Sequence, residues 1–258
     1  MTLVVVSPHL DDAVLSVGAA IAARAGSERV VVVSVCTAVG GPGHRLQGAH
    51  DRVAEDRVAT AVLGAHAVHL GLPDAPLRGI SEDWWGLCDG DDVDAAFVAT
   101  IADRLRPHLV DASDVWGPLA VGRHVDHRAV RAALDACGVV HARYEERPYA
   151  RERGAVAAAW RGAVVVDSAD GHDIDGRVAF LERIGAPRTI AAPTPLLVDD
   201  RGVRWRRERM VVTPTTRALR DRALRAYASQ HGFVVGDVDD GGWPWDDDAE
   251  ALWRPDVR

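Results

Sequence analysis

Residues 3–6 form a short, uninterrupted, mostly β-branched run, the pattern of a central strand buried on both faces. The run breaks at Ser7-Pro8. Residues 12–25 read as a helix that closes at Gly26, and residues 30–35 form a second buried run. Strand, helix and strand within about thirty-five residues predict a βαβ unit with parallel strands and a right-handed crossover.

The alternation continues. A glycine-rich loop at 40–43 leads into a predicted helix over 48–63 that stops at Gly64, and 67–70 reads as a short strand. Residues 72–85 are irregular, polar and aromatic, as active-site loops are. A helix is predicted over 93–105, ending before Pro107, then a strand at 109–112 and a helix over 126–136 stopped near Gly138. The first 140 residues therefore predict a Rossmann-like, doubly wound α/β fold, a mostly parallel sheet with helices on both faces. Beyond them lie short strand-like runs at 156–160, 163–167, 189–199 and 203–212. A helix is predicted at 214–230 and an acidic surface loop at 237–248. With no internal repeat or long linker, residues 1–258 read as one domain. Residues 1–140 are its core, and 141–258 are additions that shape a pocket.

Composition narrows the chemistry. All 30 basic residues are arginine, and asparagine is absent as well. No lysine means no Schiff-base nucleophile and no phosphate-binding P-loop. A net charge of −8 argues against a nucleic-acid partner. Arg204, Arg206 and Arg207 form the densest basic cluster and read as solvated or acid-paired surface. Three dispersed cysteines, Cys36, Cys88 and Cys137, fit free thiols in a reducing cytoplasm. The N-terminus lacks an export signal's pattern and no apolar run is long enough to span a membrane. The expected location is cytoplasmic. The oligomeric state, including a homo-oligomer, stays open.

In open parallel sheets, ligands sit outside the carboxyl ends of the strands. His9-Leu10-Asp11-Asp12 directly follows the first strand, and His124-Val125-Asp126-His127 follows a later one. A catalytic zinc takes three protein ligands and keeps a position open. His9, Asp12 and His127 can supply those ligands. Asp11 is then placed as general base for a metal-activated water. His124, protonated, is placed to stabilise an oxyanion, with the Asp126 carboxylate holding its imidazole. Taken alone, Asp11 and Asp12 equally fit a helix N-cap and first turn, and His124 and His127 a solvated helix start.

On these two motifs the chain resembles the zinc-dependent N-deacetylases of the LmbE-like, or PIG-L, family. Their usual first motif, His-Pro-Asp-Asp-Glu, is here His9-Leu10-Asp11-Asp12-Ala13, and their His-x-Asp-His is residues 124–127. The resemblance implies Zn2+, with Fe2+ acceptable to the same ligands. It also implies a small-molecule N-acetylated amino sugar or glycoside as substrate, in bacterial secondary metabolism. Weaker likenesses run through Arg52–Asp56, Leu72–Ala75 with Arg78, Tyr144–Tyr149 and Tyr227–Gln230. Two positions depart from the motif: Leu10 replaces proline, and Ala13 replaces a glutamate that would support the metal.

Arg52, Asp74, Arg78, Tyr144 and Tyr149 are the candidate substrate contacts, with salt bridges or core packing as their other roles. Trp84, Trp85, Trp116, Trp243 and Trp245 could stack on a sugar, although packing suits each one better. Two other functions compete. One is an amidase acting on another acylated amine or thiol conjugate. The other is an inactive metal- or nucleotide-binding protein, but the first strand is followed by carboxylates where a dinucleotide site needs G-x-G-x-x-G.

Overall fold

A computed structural model describes residues 1–38, 49–80, 87–88, 93–147, 196–198, 203–230 and 249–255. The order is β1 (Thr2–Ser7), α1 (Asp12–Ala25), β2 (Arg29–Cys36), α2 (Ala49–Val62), β3 (His66–Leu72), α3 (Ala95–Leu109), β4 (Asp114–Pro118), α4 (Val125–Cys137) and β5 (Ala142–Tyr144). Then come β6 (Leu196–Val198), β7 (Arg204–Val211), α5 (Pro214–Leu224) and β8 (Ala249–Pro255). Short 3-10 turns occupy Pro76–Arg78, Val121–Arg123 and Ala228–Gln230.

The described strands form one sheet in the order β3-β2-β1-β4-β5-β8-β7-β6. β1 to β5 are parallel, and β8, β7 and β6 are added antiparallel. Alternating residues explain the two layers. Leu3 and Val5 join α1, α2 and α5 in one apolar cluster, whereas Val4 and Val6 join α3 and α4 in the other. Each fully buried Val or Leu contributes about 1.5–3 kcal/mol. The order 3-2-1-4-5 reverses between β1 and β4, so the crevice expected of a doubly wound sheet opens at their carboxyl ends.

Several predicted boundaries shift. The helix expected to end before Pro107 runs from Ala95 to Leu109 with the proline inside. In the last turn a proline removes one donor and leaves the preceding ladder intact. Leu109 is therefore the buried end of α3, and the strand expected at 109–112 lies instead at Asp114–Pro118. The helix expected over 214–230 stops at Leu224.

β8 went unpredicted. It pairs with both β5 and β7, yet its inward residues include the buried Glu250 beside Leu252. The Glu250 carboxylate accepts the N–H groups of Ala19 and Ala20 at 2.8 and 2.7 Å. These follow the kink of α1 at Val17, so the strand's buried charge is explained by a helix break across the sheet. The expected strands at 156–160 and 163–167 and the loop at 237–248 lie outside the described residues, as does most of 189–199.

Candidate metal centre

The turn after β1 is held by side-chain hydroxyls that bind its backbone. Ser7 Oγ donates to the His9 carbonyl at 2.6 Å and accepts the Ala13 N–H at 3.0 Å. The Tyr227 hydroxyl reaches the Leu10 carbonyl at 2.7 Å. These contacts fix the turn without a proline at position 10. The Ala13 methyl packs into the apolar cluster around α1, so this position turns into the core. Asp11 occupies the N-cap position of α1, but its side chain makes no capping hydrogen bond. The carboxylate is thus left to the crevice, which separates it from an ordinary helix cap.

The second motif starts α4, after a turn in which Ala120 and Arg123 hold left-handed backbone. The rings of His9, His124 and His127 form a triangle, with centroids 5.0, 5.2 and 5.1 Å apart. Asp12 Oδ2 lies 3.2 Å from His9 Nδ1 and 3.3 Å from His127 Nε2. A tetrahedral ion with bonds of about 2.0–2.1 Å spaces its ligand atoms by roughly 3.3 Å. The donor atoms of His9, Asp12 and His127 all lie within 4.8 Å of one another, and this set fits a divalent metal. A second trio, His9, Cys36 and Asp126, is similarly close. It fits less well, because Asp126 is already paired with Arg78 and accepts the Ala75 N–H at 2.9 Å.

Each prospective ligand histidine turns its other nitrogen to a buried carboxylate. His9 Nε2 is 3.1 Å from Asp126 Oδ2, and His127 Nδ1 is 3.1 Å from Glu146 Oε1. The Asp126 carboxylate was expected to hold His124 and instead faces His9 and Arg78. Asp126 meets His124 through its backbone N–H, which donates to His124 Nδ1 at 3.2 Å. Glu146 escaped the sequence reading as a site residue. Its only signal was its place in the Tyr144–Tyr149 likeness.

Electrostatics follow from this arrangement. Burial alone would lower the pKa of His9, but hydrogen bonds to Asp12 and Asp126 outweigh it and bring it to about 10. Burial likewise opposes, and Asp12 and Glu146 overcome, the rise of His127 to about 9. Burial together with the positive His9 and His127 pushes His124 down to about 3. With Nδ1 accepting a backbone N–H, the neutral ring carries its hydrogen on Nε2 and remains a donor. Burial also raises Asp11, partly offset by Arg52.

The expected substrate contacts divide. Arg52 Nη2 is 3.8 Å from Asp11 Oδ2, and its buried Nε has no hydrogen-bond partner among the described residues. Asp74 caps the following turn, accepting the Leu77 N–H at 3.1 Å. Arg78 is tied to Asp126 and lies over the Phe97 ring, which makes it a brace for the site. Tyr144 is fully buried with its hydroxyl on the Val6 carbonyl at 2.8 Å, so it supports β1 from below and does not reach the crevice. Trp116 is also fully buried, its indole N–H on Asp114 at 3.0 Å, and is no stacking surface. Tyr149, Trp84, Trp85, Trp243 and Trp245 lie outside the described residues.

The profile of the family "PIG-L: GlcNAc-PI de-N-acetylase" matches residues 4–137, more than half of the chain and both motifs. The chain belongs to this family. A 2'-N-acetylparomamine deacetylase of Streptomyces fradiae is 33% identical over an alignment of 165 residues, and the match covers 58% of this chain and 58% of that relative. Two solved structures share the fold over 100% of both chains. One is a deacetylase complex from teicoplanin biosynthesis, at TM-score 0.69 and 21% identity. The other is a zinc-inhibited form of a teicoplanin deacetylase, at 0.66 and 20%. Among the described residues, no helix of this PIG-L family member is long and apolar enough to cross a membrane.

Proposed function

We propose that the protein is a metal-dependent N-deacetylase that hydrolyses the N-acetyl group of an amino sugar or glycoside. The observation that carries this is the convergence of His9, Asp12 and His127 on one point, with Asp11, whose side chain caps no helix, and the His124 ring beside it. The relative that acts on 2'-N-acetylparomamine and the teicoplanin deacetylases support an antibiotic-type amino-sugar substrate. The ligand chemistry favours Zn2+, with Fe2+ compatible.

His9, Asp12 and His127 would hold the ion, which supplies Lewis-acid polarisation and a more acidic water. Asp11 removes a proton from the attacking water. The His124 Nε2–H donates to the acyl oxygen as negative charge develops there. The C–N bond breaks, and Asp11 returns the proton to the departing amine. Water's hydroxyl ends on the acyl carbon, giving acetate and a free amine. Arg52, beside Asp11, is the described residue best placed to meet a substrate hydroxyl.

Asp11→Asn should keep stoichiometric metal and lower kcat by about 10²–10⁴-fold. The check is amine release from N-acetylated aminoglycoside precursors and N-acetylglucosamine glycosides, alongside metal analysis. Undiminished turnover in this variant would remove Asp11 from the mechanism. Release of amine only from unrelated acyl amides would make the protein a different C–N hydrolase.

A further inference from the structure

We infer that Glu146 is a positioning residue that selects which nitrogen of His127 reaches the metal, and that it sets the loop leading into His124 at the same time. The inference rests on the metal centre proposed above and deepens it.

An imidazole presents two different nitrogens, and the partner of one decides what the other can do. The His127 ring is fully buried between two carboxylates, with Nδ1 toward Glu146 and Nε2 toward Asp12. Glu146 enters from just beyond β5. Its Oε2 accepts the N–H groups of Leu119 and Val121 at 3.1 and 3.2 Å, and its Oε1 accepts that of Ala120 at 2.7 Å. Three backbone donors converge on it, so the carboxylate is the acceptor toward His127 as well. Nδ1 therefore carries the hydrogen, and the Nε2 lone pair faces the point shared by His9 and Asp12. The reverse tautomer would set an N–H where the metal belongs.

The same oxygens stabilise an unfavourable backbone. Ala120 holds φ of 64°, the left-handed region, where a Cβ crowds the following carbonyl oxygen. The N–H groups accepted by Glu146 belong to this residue and both its neighbours, and His124 follows four positions later. One side chain thus ties the ligand histidine and the oxyanion donor to a common anchor. His9 has the matching device in Asp126, but Asp126 lies within α4, whereas Glu146 comes from a different part of the chain.

The direct test uses the unmodified chain loaded with cadmium-113 and carrying nitrogen-15 histidine. Cadmium coupling should appear at His127 Nε2, with a slowly exchanging Nδ1–H, the resonance being assigned by its loss in His127→Gln. Coupling at Nδ1 overturns the inference. Glu146→Gln tests energy: chelator competition with Zn2+ should show affinity weakened by about 10–100-fold in a protein with native-like circular dichroism, and a change under about threefold overturns it. If Glu146→Gln does not fold, the cadmium experiment alone decides. Metal held through Nε2 with no turnover of any acylated amine would defeat the deacetylase reading and leave this inference standing. A chain that binds no metal defeats both.

Discussion

Tyr144 and Arg52 show how far a side chain's surroundings change its meaning. Both were candidates for substrate contact, and of the two Arg52 has a buried nitrogen without a hydrogen-bond partner among the described residues, with its other end 3.8 Å from the proposed base. Arg52→Ala should raise KM more than it lowers kcat, because the guanidinium binds without entering the proton transfer. A fall in kcat with unchanged KM, measured by steady-state kinetics, would place Arg52 in the chemical step. Tyr144→Phe should do the opposite of what its place in the family likeness suggested. It leaves the buried Val6 carbonyl without its partner and should cost about 1–3 kcal/mol of stability, read by denaturant unfolding. KM should not move. The proposed metal ligands stand out in the sequence because His and Asp at strand ends have few other uses in such number. The buried roles of Tyr144, Arg78 and Glu146 do not. They depend on partners 138, 48 and 19 residues away, and spacing along the chain carries no trace of those.

Elements were legible where local chemistry decides them. β1 and β2 announce themselves by apolar runs, and α4 ends where Gly138 adopts φ of 69°, a backbone that costs glycine nothing. Elements failed to show where tertiary contacts override local pattern. β4 hides behind Gly117 and Pro118, and β8 behind Glu250. Gly117 has a further consequence for the site. A Cβ added there would lie 2.4 Å from Leu134 Cδ1, on the helix that carries Asp126 and His127. Gly117 therefore lets α4 approach β4 closely. Gly117→Ala should cost about 1–3 kcal/mol through overpacking. If Leu134 cannot rotate away, α4 must shift, and Zn2+ affinity should fall together with stability. Chelator competition and thermal denaturation measure the two. Lost stability with unchanged affinity would mean that the leucine yields and the helix stays in place.

Across the whole molecule, the parallel and antiparallel parts of the sheet are joined through α1 by charges of opposite pH behaviour. Asp114 on β4 meets Arg24 of α1, Arg254 of β8 and the Trp116 indole. Burial would raise its pKa, but Arg254, the indole and Arg24 outweigh it, and the folded value is lowered. The folded state then binds fewer protons than the unfolded chain near pH 4, so this stabilisation is complete above about pH 4 to 5 and is lost as pH falls through the folded value. Glu250 has the reverse sign. Burial raises it despite the Ala19 and Ala20 N–H groups and Arg220, so the folded state binds more protons, and its contribution declines as pH rises past the usual glutamate range. The two therefore work against each other in mildly acidic solution. Asp114→Asn should reduce the loss of stability between about pH 5 and pH 3 relative to the unmodified chain. Glu250→Gln should leave that acid limb and instead alter the slope above it. Denaturant midpoints taken across this range decide the matter, and an acid limb as steep in Asp114→Asn as in the parent would assign the acid sensitivity to carboxylates elsewhere, Asp12 and Asp126 at the proposed metal centre first among them.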